Sequence, residues 1–323
     1  MRVHDLEGPD ALRCDLLEPP PLAERQVRIA VKAAGLNYPD LLMTRGGYQR
    51  RPDLPFAPGM EVSGVVLETG PGVTQVDVGQ RVMAMGRSGG FSEQFVAAES
   101  ATLPLPDGFS DEEGATFCVA GVTAHHALVD KAAISSADTC LIAGASGGVG
   151  LAAVQLAKAR GARVIALASG DAKQAAVRRA GADHLIDYAA DDIREAVRAA
   201  TDGALATVVY DPVGGELAQT MLRCLGWNGL YLIIGFTSGA PARFETNKLL
   251  IKSHRVAGVR AGESHARAPH LAAAAFRELQ ERAAAGQMTP HVGETFALED
   301  AAAALKRMEA RGVVGRLAVL TGS

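Results

Sequence analysis

The stretch Leu141-Ile-Ala-Gly144-Ala-Ser146-Gly147-Gly148-Val149-Gly150 runs on through an apolar segment to Ala157 and carries two overlapping signals. Gly144-Ala-Ser146-Gly147-Gly148 fits G-x-S-x-G, the elbow that presents a nucleophilic serine between a strand and a helix. Gly147, Gly148 and Gly150 also fit a glycine-rich turn that cradles a dinucleotide pyrophosphate at a helix N-terminus. A P-loop is excluded, because no Gly-Lys-Ser/Thr follows.

Sequence context separates the two chemistries. A serine hydrolase places its elbow after several strands of an α/β sheet, with an acid and then a histidine downstream. The residues ahead of Ser146 lack βα alternation. Nothing in the pattern gathers Asp211 with any of the later histidines, His184, His254, His265, His270 or His291. The dinucleotide reading explains more. Gly147 would allow a tight turn, Gly148 a close phosphate, and Gly150 close packing of helix on strand. Ser146, Gly147, Gly148, Val149 and Gly150 are then the pyrophosphate loop. The plain alternative is a tight strand-helix turn with no ligand.

The second strand of such a fold usually ends in an acid that holds the ribose 2′-hydroxyl of NAD. Here it ends Ala166-Leu-Ala168-Ser169-Gly170, so a 2′-phosphate meets no acid at the tip. Ser169 could donate to that phosphate and Lys173 lies one helical turn on, which favours NADPH. Arg178 and Arg179 are further candidates, more in keeping with exposed helix positions. Asp171 is the counter-signal: a longer strand would bring it to the ribose.

The elements that position this loop follow from periodicity. Residues 1 to about 115 are strand-like and rich in Pro and turn signals, with Gln26–Ala34, Glu61–Glu68 and Gln80–Met85 as β-branched segments. This predicts an antiparallel, barrel-like domain. Helical spacing starts at Asp111. Strands at 139–143, 163–167, 184–187, 207–211 and 229–235 then alternate with helices at 148–160, 172–180, 191–200 and 216–225. That is the rhythm of a doubly wound parallel sheet, with a last strand at 256–259. After about residue 262 come a helix (269–285), a strand (293–297), a helix (299–311) and a strand (315–320), assigned back to the first domain.

Composition agrees with a globular protein: of 323 residues, 48 % are apolar and 21 % charged, with a formal net charge of −4. No Lys/Arg run supports nucleic-acid binding. Two uncharged runs, 139–157 and 224–242, are broken by glycines and read as pieces of a buried sheet rather than membrane spans. Cys14, Cys118, Cys140 and Cys224 show no C-x-x-C spacing and read as reduced thiols of a cytoplasmic protein.

These residues resemble a known family. Ala34-Gly35-Leu36-Asn37-Tyr38-Pro39-Asp40, Gly47-Tyr48, Pro58-Gly59-Met60-Glu61-Val62-Ser63-Gly64, Ala120-Gly121-Val122-Thr123-Ala124, Gly144–Gly150, Gly181-Ala182-Asp183, Asp211-Pro-Val-Gly-Gly215 and Gly235-Phe236 together resemble the medium-chain dehydrogenases/reductases. Within them the chain is similar to the zinc-independent quinone oxidoreductases. The resemblance implies a Rossmann doubly wound sheet inserted into a GroES-like β-barrel domain. The barrel would be residues 1–115 and 261–323, and the cofactor domain 116–260.

It also implies where zinc would be held in alcohol-oxidising members, by two Cys and one His. Asn37 and Met60 stand at two of those positions. The third falls near Val119, with Cys118 one residue off, so three protein ligands are lacking. The expectation is no metal, NADPH as cofactor, and hydride transfer to a small electrophile, a quinone or an α,β-unsaturated carbonyl. Such acceptors delocalise the charge that zinc would otherwise stabilise. A homodimer is implied too, joined near 229–235 or 256–259.

Candidate substrate contacts are Asn37, Tyr38, Tyr48 and Thr123, the last matching a family threonine near the nicotinamide. Asp40 reads as structural. Gly235 and Phe236 would meet the nicotinamide side, Tyr188 the adenosine phosphate, and Asn247 and Arg316 other parts of the cofactor. A short-chain dehydrogenase is set aside, because none of the five tyrosines has Lys four residues on. Reduction of an enoyl thioester (acrylyl-CoA-like), and NADPH binding with little turnover, remain the alternatives.

Overall fold

The computed structural model describes residues 1–322. The chain divides into two compact units: residues 1–119 together with the segment from Thr289 onward, and residues 120–288.

The first unit is mainly antiparallel. It contains β1 (Arg2–Val3), β2 (Leu12–Arg13), β3 (Gln26–Gly35), α1 (Tyr38–Met43), β4 (Glu61–Thr69), β5 (Arg81–Met85), β6 (Gln94–Ala98), β7 (Thr102–Pro104) and the first part of α2 (Asp111–His125). Alternate residues of β3, among them Val27, Ile29 and Val31, enter its core with Val62, Val66, Val82 and Phe95. β3 pairs antiparallel with both β4 and β6, with Gly35 opposite Glu61 and Gln26 opposite Ala98. α2 starts where Ser110 and Glu113 exchange hydrogen bonds: Ser110 N–H donates to Glu113 Oε2 (2.9 Å) and Glu113 N–H to Ser110 Oγ (3.2 Å). This reciprocal pair satisfies two donors at the helix start.

The second unit is a parallel sheet. Its strands are β8 (Thr139–Ile142), β9 (Arg163–Leu167), β10 (His184–Ile186), β11 (Ala206–Asp211), β12 (Leu225–Ile233) and β13 (Arg255–Gly258). Between them lie α3 (Gly148–Ala159), α4 (Asp171–Arg179), α5 (Ile193–Ala200), α6 (Leu217–Arg223) and α7 (Thr246–Lys252). The strand order is β10-β9-β8-β11-β12-β13, and every neighbouring pair is parallel. The first strand therefore lies mid-sheet and the order reverses beside it, the arrangement that opens a crevice at the carboxyl ends of β8 and β11. Strands covered on both faces read as unbroken apolar runs, as Cys140-Leu-Ile142 and Val164-Ile-Ala-Leu167 do.

α8 (Ala261–Arg267) and α9 (Pro269–Ala284) complete this unit, and β14 (Val292–Ala297), α10 (Ala301–Glu309) and β15 (Arg316–Leu320) return to the first. β15 pairs antiparallel with β3 and parallel with β14. The return thus comes after Met288 rather than at 261. The reason is packing: α9 buries Ala275, Phe276, Leu279 and Ala283, and Leu279 lies where a Cβ on Gly121 would meet it. Glu278 on the same helix binds Arg160. Short helices α1, α7 and α8 carry weak periodicity, and sequence reading did not find them. α5 begins two residues later than expected because Asp192 is its cap, accepting from the N–H groups of Arg194 and Glu195. Among the described residues no helix is long and apolar enough to cross a membrane.

Candidate functional site

Because the six strands of the second unit are parallel, the segments that follow them emerge at one edge of the sheet. The loop Ser146–Gly150 follows β8, Ser169 and Lys173 follow β9, Tyr188 follows β10, and Gly235 and Phe236 follow β12. Ten expected cofactor residues, scattered over about ninety positions of sequence, are brought to that edge by topology alone.

The glycine loop divides its work differently from the expectation. The left-handed residue is Gly144 (φ +54°), whereas Gly147 is extended at φ −82° and ψ 167°. The tight turn therefore belongs to Gly144, and Gly147 is not strained by its backbone. A Cβ at Gly147 would make only ordinary contact, 3.4 Å from the Gly144 carbonyl. Folding does not demand a glycine there, and the missing side chain leaves the loop backbone open to a ligand. Gly150 is the opposite case. A Cβ there would lie 2.3 Å from the Gly144 carbonyl and 2.7 Å from Ala145 Cα, so α3 can approach β8 only with glycine at this position. No side chain caps α3, and its hydrogen bonds start with Leu151 N–H to Gly147 O at 2.8 Å. First-turn N–H groups and the positive end of the helix dipole are thus left for an anion. A dinucleotide pyrophosphate fits this cradle. Ser146 is buried and hydrogen-bonded to no histidine among the described residues, so the nucleophile-elbow reading has no support.

At the tip of β9, Asp171 starts α4 and is not the strand's last residue. Lys173, on the first turn of that helix, makes no ion pair among the described residues. Ser169 does not point free: its hydroxyl bonds Asp187, and this bond, with the N–H of Ala189, holds the Asp187 carboxyl below its usual range. Tyr188 and Phe236 are 47 % and 40 % exposed, so both rings are accessible to a ligand at this edge. Below Gly235, Asp211 organises the turn. It accepts from the N–H groups of Val213 (2.8 Å) and Gly214 (3.0 Å) and from the buried Tyr231 hydroxyl (2.5 Å). Burial, with the Asp211 charge, drives the Tyr231 phenol far upward, so it stays protonated and donating.

In the first unit, Asn37 caps α1, and a buried polar network begins there. The Asn37 N–H donates to Asp40 Oδ2 (2.8 Å), and Gly59 N–H donates to Asp40 Oδ1 (2.9 Å). Burial pushes Asp40 up to about 7 against the pull of those two donors. The Asn37 side-chain amide donates to Glu61 Oε1 (3.0 Å), and its oxygen accepts from Arg316 Nη2 (3.0 Å). Arg316 Nη2 also binds Glu61 Oε1 directly. Val119 N–H closes the ring on Glu61 Oε2 (2.8 Å). Glu61 is fully buried and Arg316 is 7 % exposed. Tyr38 and Tyr48 are half-buried against the core of this unit.

Comparison with known proteins decides the family. Residues 23–107 match the alcohol dehydrogenase GroES-like domain, and residues 148–277 the zinc-binding dehydrogenase domain. A quinone oxidoreductase-like protein 2 homolog of Nematostella vectensis is 34% identical over 93% of this chain and 83% of its own length. The quinone oxidoreductase of Pseudomonas aeruginosa is 33% identical over 97% of this chain and 96% of its own. The solved structure of the Escherichia coli quinone oxidoreductase complexed with NADPH superposes with a TM-score of 0.89 at 30% identity, covering 99% of this chain and 98% of that one. The chain belongs to the medium-chain dehydrogenase/reductase superfamily, in its quinone oxidoreductase branch.

Within that superfamily of oxidoreductases, the three positions matched to zinc ligands acquire a common meaning here. Asn37 and the backbone of Cys118–Val119 converge on one carboxylate, that of Glu61, the residue after Met60. That carboxylate already carries a cation, the Arg316 guanidinium. Cys118 is buried beside it, and burial together with the Glu61 charge raises its thiol well above the ordinary value. Arg316, expected as a cofactor contact, is held by Glu61 and Asn37. Thr123, placed by sequence reading at a helix start, lies near the C-terminal end of α2, because the Ser110–Glu113 cap starts that helix twelve residues earlier. Sequence reading missed Glu61 as the hub and Tyr231 as the partner of Asp211. The only signal for either was a charged or hydroxylated residue inside an apolar strand.

Proposed function

We propose that this protein transfers a hydride from NADPH to a quinone or another α,β-unsaturated carbonyl, without a metal ion. The observation that carries the reading is the Glu61–Arg316–Asn37 network. At the positions where relatives of the zinc class hold the ion, this chain has an amide, a thioether and one buried thiol around a carboxylate that a guanidinium already neutralises. A divalent cation would meet a like charge and too few ligands.

NADPH supplies the hydride when bound. The loop Ser146–Gly150 and the N-terminus of α3 hold the pyrophosphate through backbone N–H groups. Lys173 sets a positive charge toward the 2′-phosphate, and Tyr188 offers a face for the adenosine end. Gly235 and Phe236 border the nicotinamide end. Tyr38 and Tyr48 are the proposed donors to the acceptor oxygen. Asn37 is removed from that role, because both ends of its amide are engaged with Glu61 and Arg316. With no Lewis acid, acceleration comes from positioning and from an acceptor that spreads the incoming charge over a conjugated system.

The test is to mix the protein with NADPH and a panel of quinones, enones and saturated ketones and to follow absorbance of the reduced nicotinamide. Turnover with a quinone or an enone, and none with the saturated ketones, is expected. NADPH binding with flat traces across the whole panel would overturn the reading.

A further inference from the structure

The second unit holds a cluster of imidazoles that hydride transfer does not use. α2 ends at His125, and the chain continues directly into a wide helical turn, His126–Lys131, in which Ala132 N–H reaches back five residues to Ala127 O (3.1 Å). Turns of this kind are rare and recur at functional sites. This one carries His126 and Asp130 on one face, with His126 Nδ1 2.7 Å from Asp130 Oδ2. The other carboxylate oxygen, Oδ1, lies 3.8 Å from His125 Nδ1. His265 from α8 closes the cluster: its ring stands edge-on to that of His126, with centroids 5.6 Å apart at 76°.

One nitrogen of His126, one of His265 and a carboxylate oxygen of Asp130 all lie within 4.8 Å of one another. His126 and His265 are 2 % and 9 % exposed. The Nε2 atoms of both, and Nδ1 of His125, are buried with no hydrogen-bond partner among the described residues. Each buried, unpaired polar atom costs about 1–3 kcal/mol, and two on neighbouring imidazoles call for a ligand that satisfies them.

We propose that His126, Asp130 and His265 form a binding site for a divalent transition-metal ion of the Zn2+ class. Two imidazoles and one carboxylate are a borderline donor set that suits Zn2+ and disfavours Ca2+ or Mg2+, which take oxygen ligands. Bonds of about 2.0–2.1 Å require the three donors to close around the ion, a change that side-chain rotation supplies. Asp130, with its side chain 14 % exposed, is the way in for the ion. Bound there, the metal joins the end of α2 to α8, segments far apart in sequence. The site is separate from the Asn37, Met60 and Cys118–Val119 positions, which lie in the first unit.

The experiment uses the full chain in a Cys14→Ser background, which removes the exposed thiol as a competing ligand. Chelator-stripped, dialysed protein is titrated with ZnCl2 by calorimetry and with CoCl2 by visible absorption. One equivalent per chain should bind, Co2+ should show a d–d band, and Zn2+ should raise the melting temperature. His265→Gln and Asp130→Asn should each weaken binding about 100-fold, while NADPH affinity stays as in the parent and shows that the variants fold. Absence of saturable Zn2+ and Co2+ uptake by the parent would overturn the proposal on its own, with no appeal to variants. Uptake unchanged in both variants would overturn it equally.

Discussion

Arg316 and Glu61 form a buried ion pair across 255 residues of sequence, Nη2 of one on Oε1 of the other, with Asn37 bonded to both. Removing one partner leaves the other charge uncompensated in the core. Arg316→Met is expected to cost about 3–5 kcal/mol of stability. Arg316→Met combined with Glu61→Gln should cost clearly less than the two single changes added together. Urea unfolding midpoints of the three variants check this; simple additivity would show that the two groups are not coupled.

Gly147 and Gly150 are three residues apart and should fail in different ways. Gly150→Ala pushes a methyl into the Gly144 carbonyl and should destabilise by about 1–3 kcal/mol or more. Gly147→Ala should leave stability within about 1 kcal/mol and weaken NADPH at least tenfold. Thermal melts and fluorescence titrations with NADPH, run on both variants, separate an architectural glycine from a ligand-facing one.

Lys173, beside the tip of β9, has no ion-pair partner among the described residues. If it meets the 2′-phosphate, Lys173→Ala should weaken NADPH by about 10- to 100-fold, the value of a charge-assisted hydrogen bond, and leave NADH nearly unchanged. Equal loss for both nucleotides would place Lys173 elsewhere on the cofactor.

Asp183 connects to pH. Burial raises its pKa, but Lys158 Nζ at 2.7 Å and Val164 N–H at 2.7 Å outweigh it, and the carboxyl ends below its ordinary value. The folded-state pKa is thus depressed. Its contribution is present above the unfolded pKa of 3.8 and is lost as pH falls through the folded value. The pair is about one-third exposed, so the contribution is only about 1 kcal/mol after screening. Asp183→Asn should lower the melting temperature at pH 7 and make no difference at strongly acid pH. An equal deficit at both would refute an electrostatic role.

Cysteine reactivity offers a check of burial. Cys14 is exposed; Cys118, Cys140 and Cys224 are buried. Burial raises the thiol of Cys224 to about 11 and that of Cys118 well beyond its ordinary value. One thiol should react with a disulfide reagent in the native protein and four after denaturation. A second fast thiol in the native state would contradict the packing around α2, β8 or the end of α6.

Local signals explain which parts were legible before any coordinates. The strand at 163–167 was found to the residue because Val164-Ile-Ala-Leu167 is apolar between a glycine turn and a serine–glycine turn. The helices at 148–159 and 269–284 were found to within one residue because their periodicity is long. α1, α7 and α8 are six or seven residues each, too short for periodicity to speak. Thr123 was misplaced within its helix, and the turn-forming glycine was assigned to Gly147 instead of Gly144. A glycine motif tells that conformational freedom is needed, not which residue uses it.

Alternation of apolar strands and helices was enough to define the parallel sheet and to point to a glycine loop at its first turn, because that information is local and repeats along the chain. Only the folded chain could show that Asn37, Glu61, Val119 and Arg316 meet at one carboxylate, or that His126 and His265 share a face. Such contacts join segments from 24 to 255 residues apart. They depend on strand order and helix packing, and each side chain, read alone, looks like an ordinary charged or polar residue in its own element.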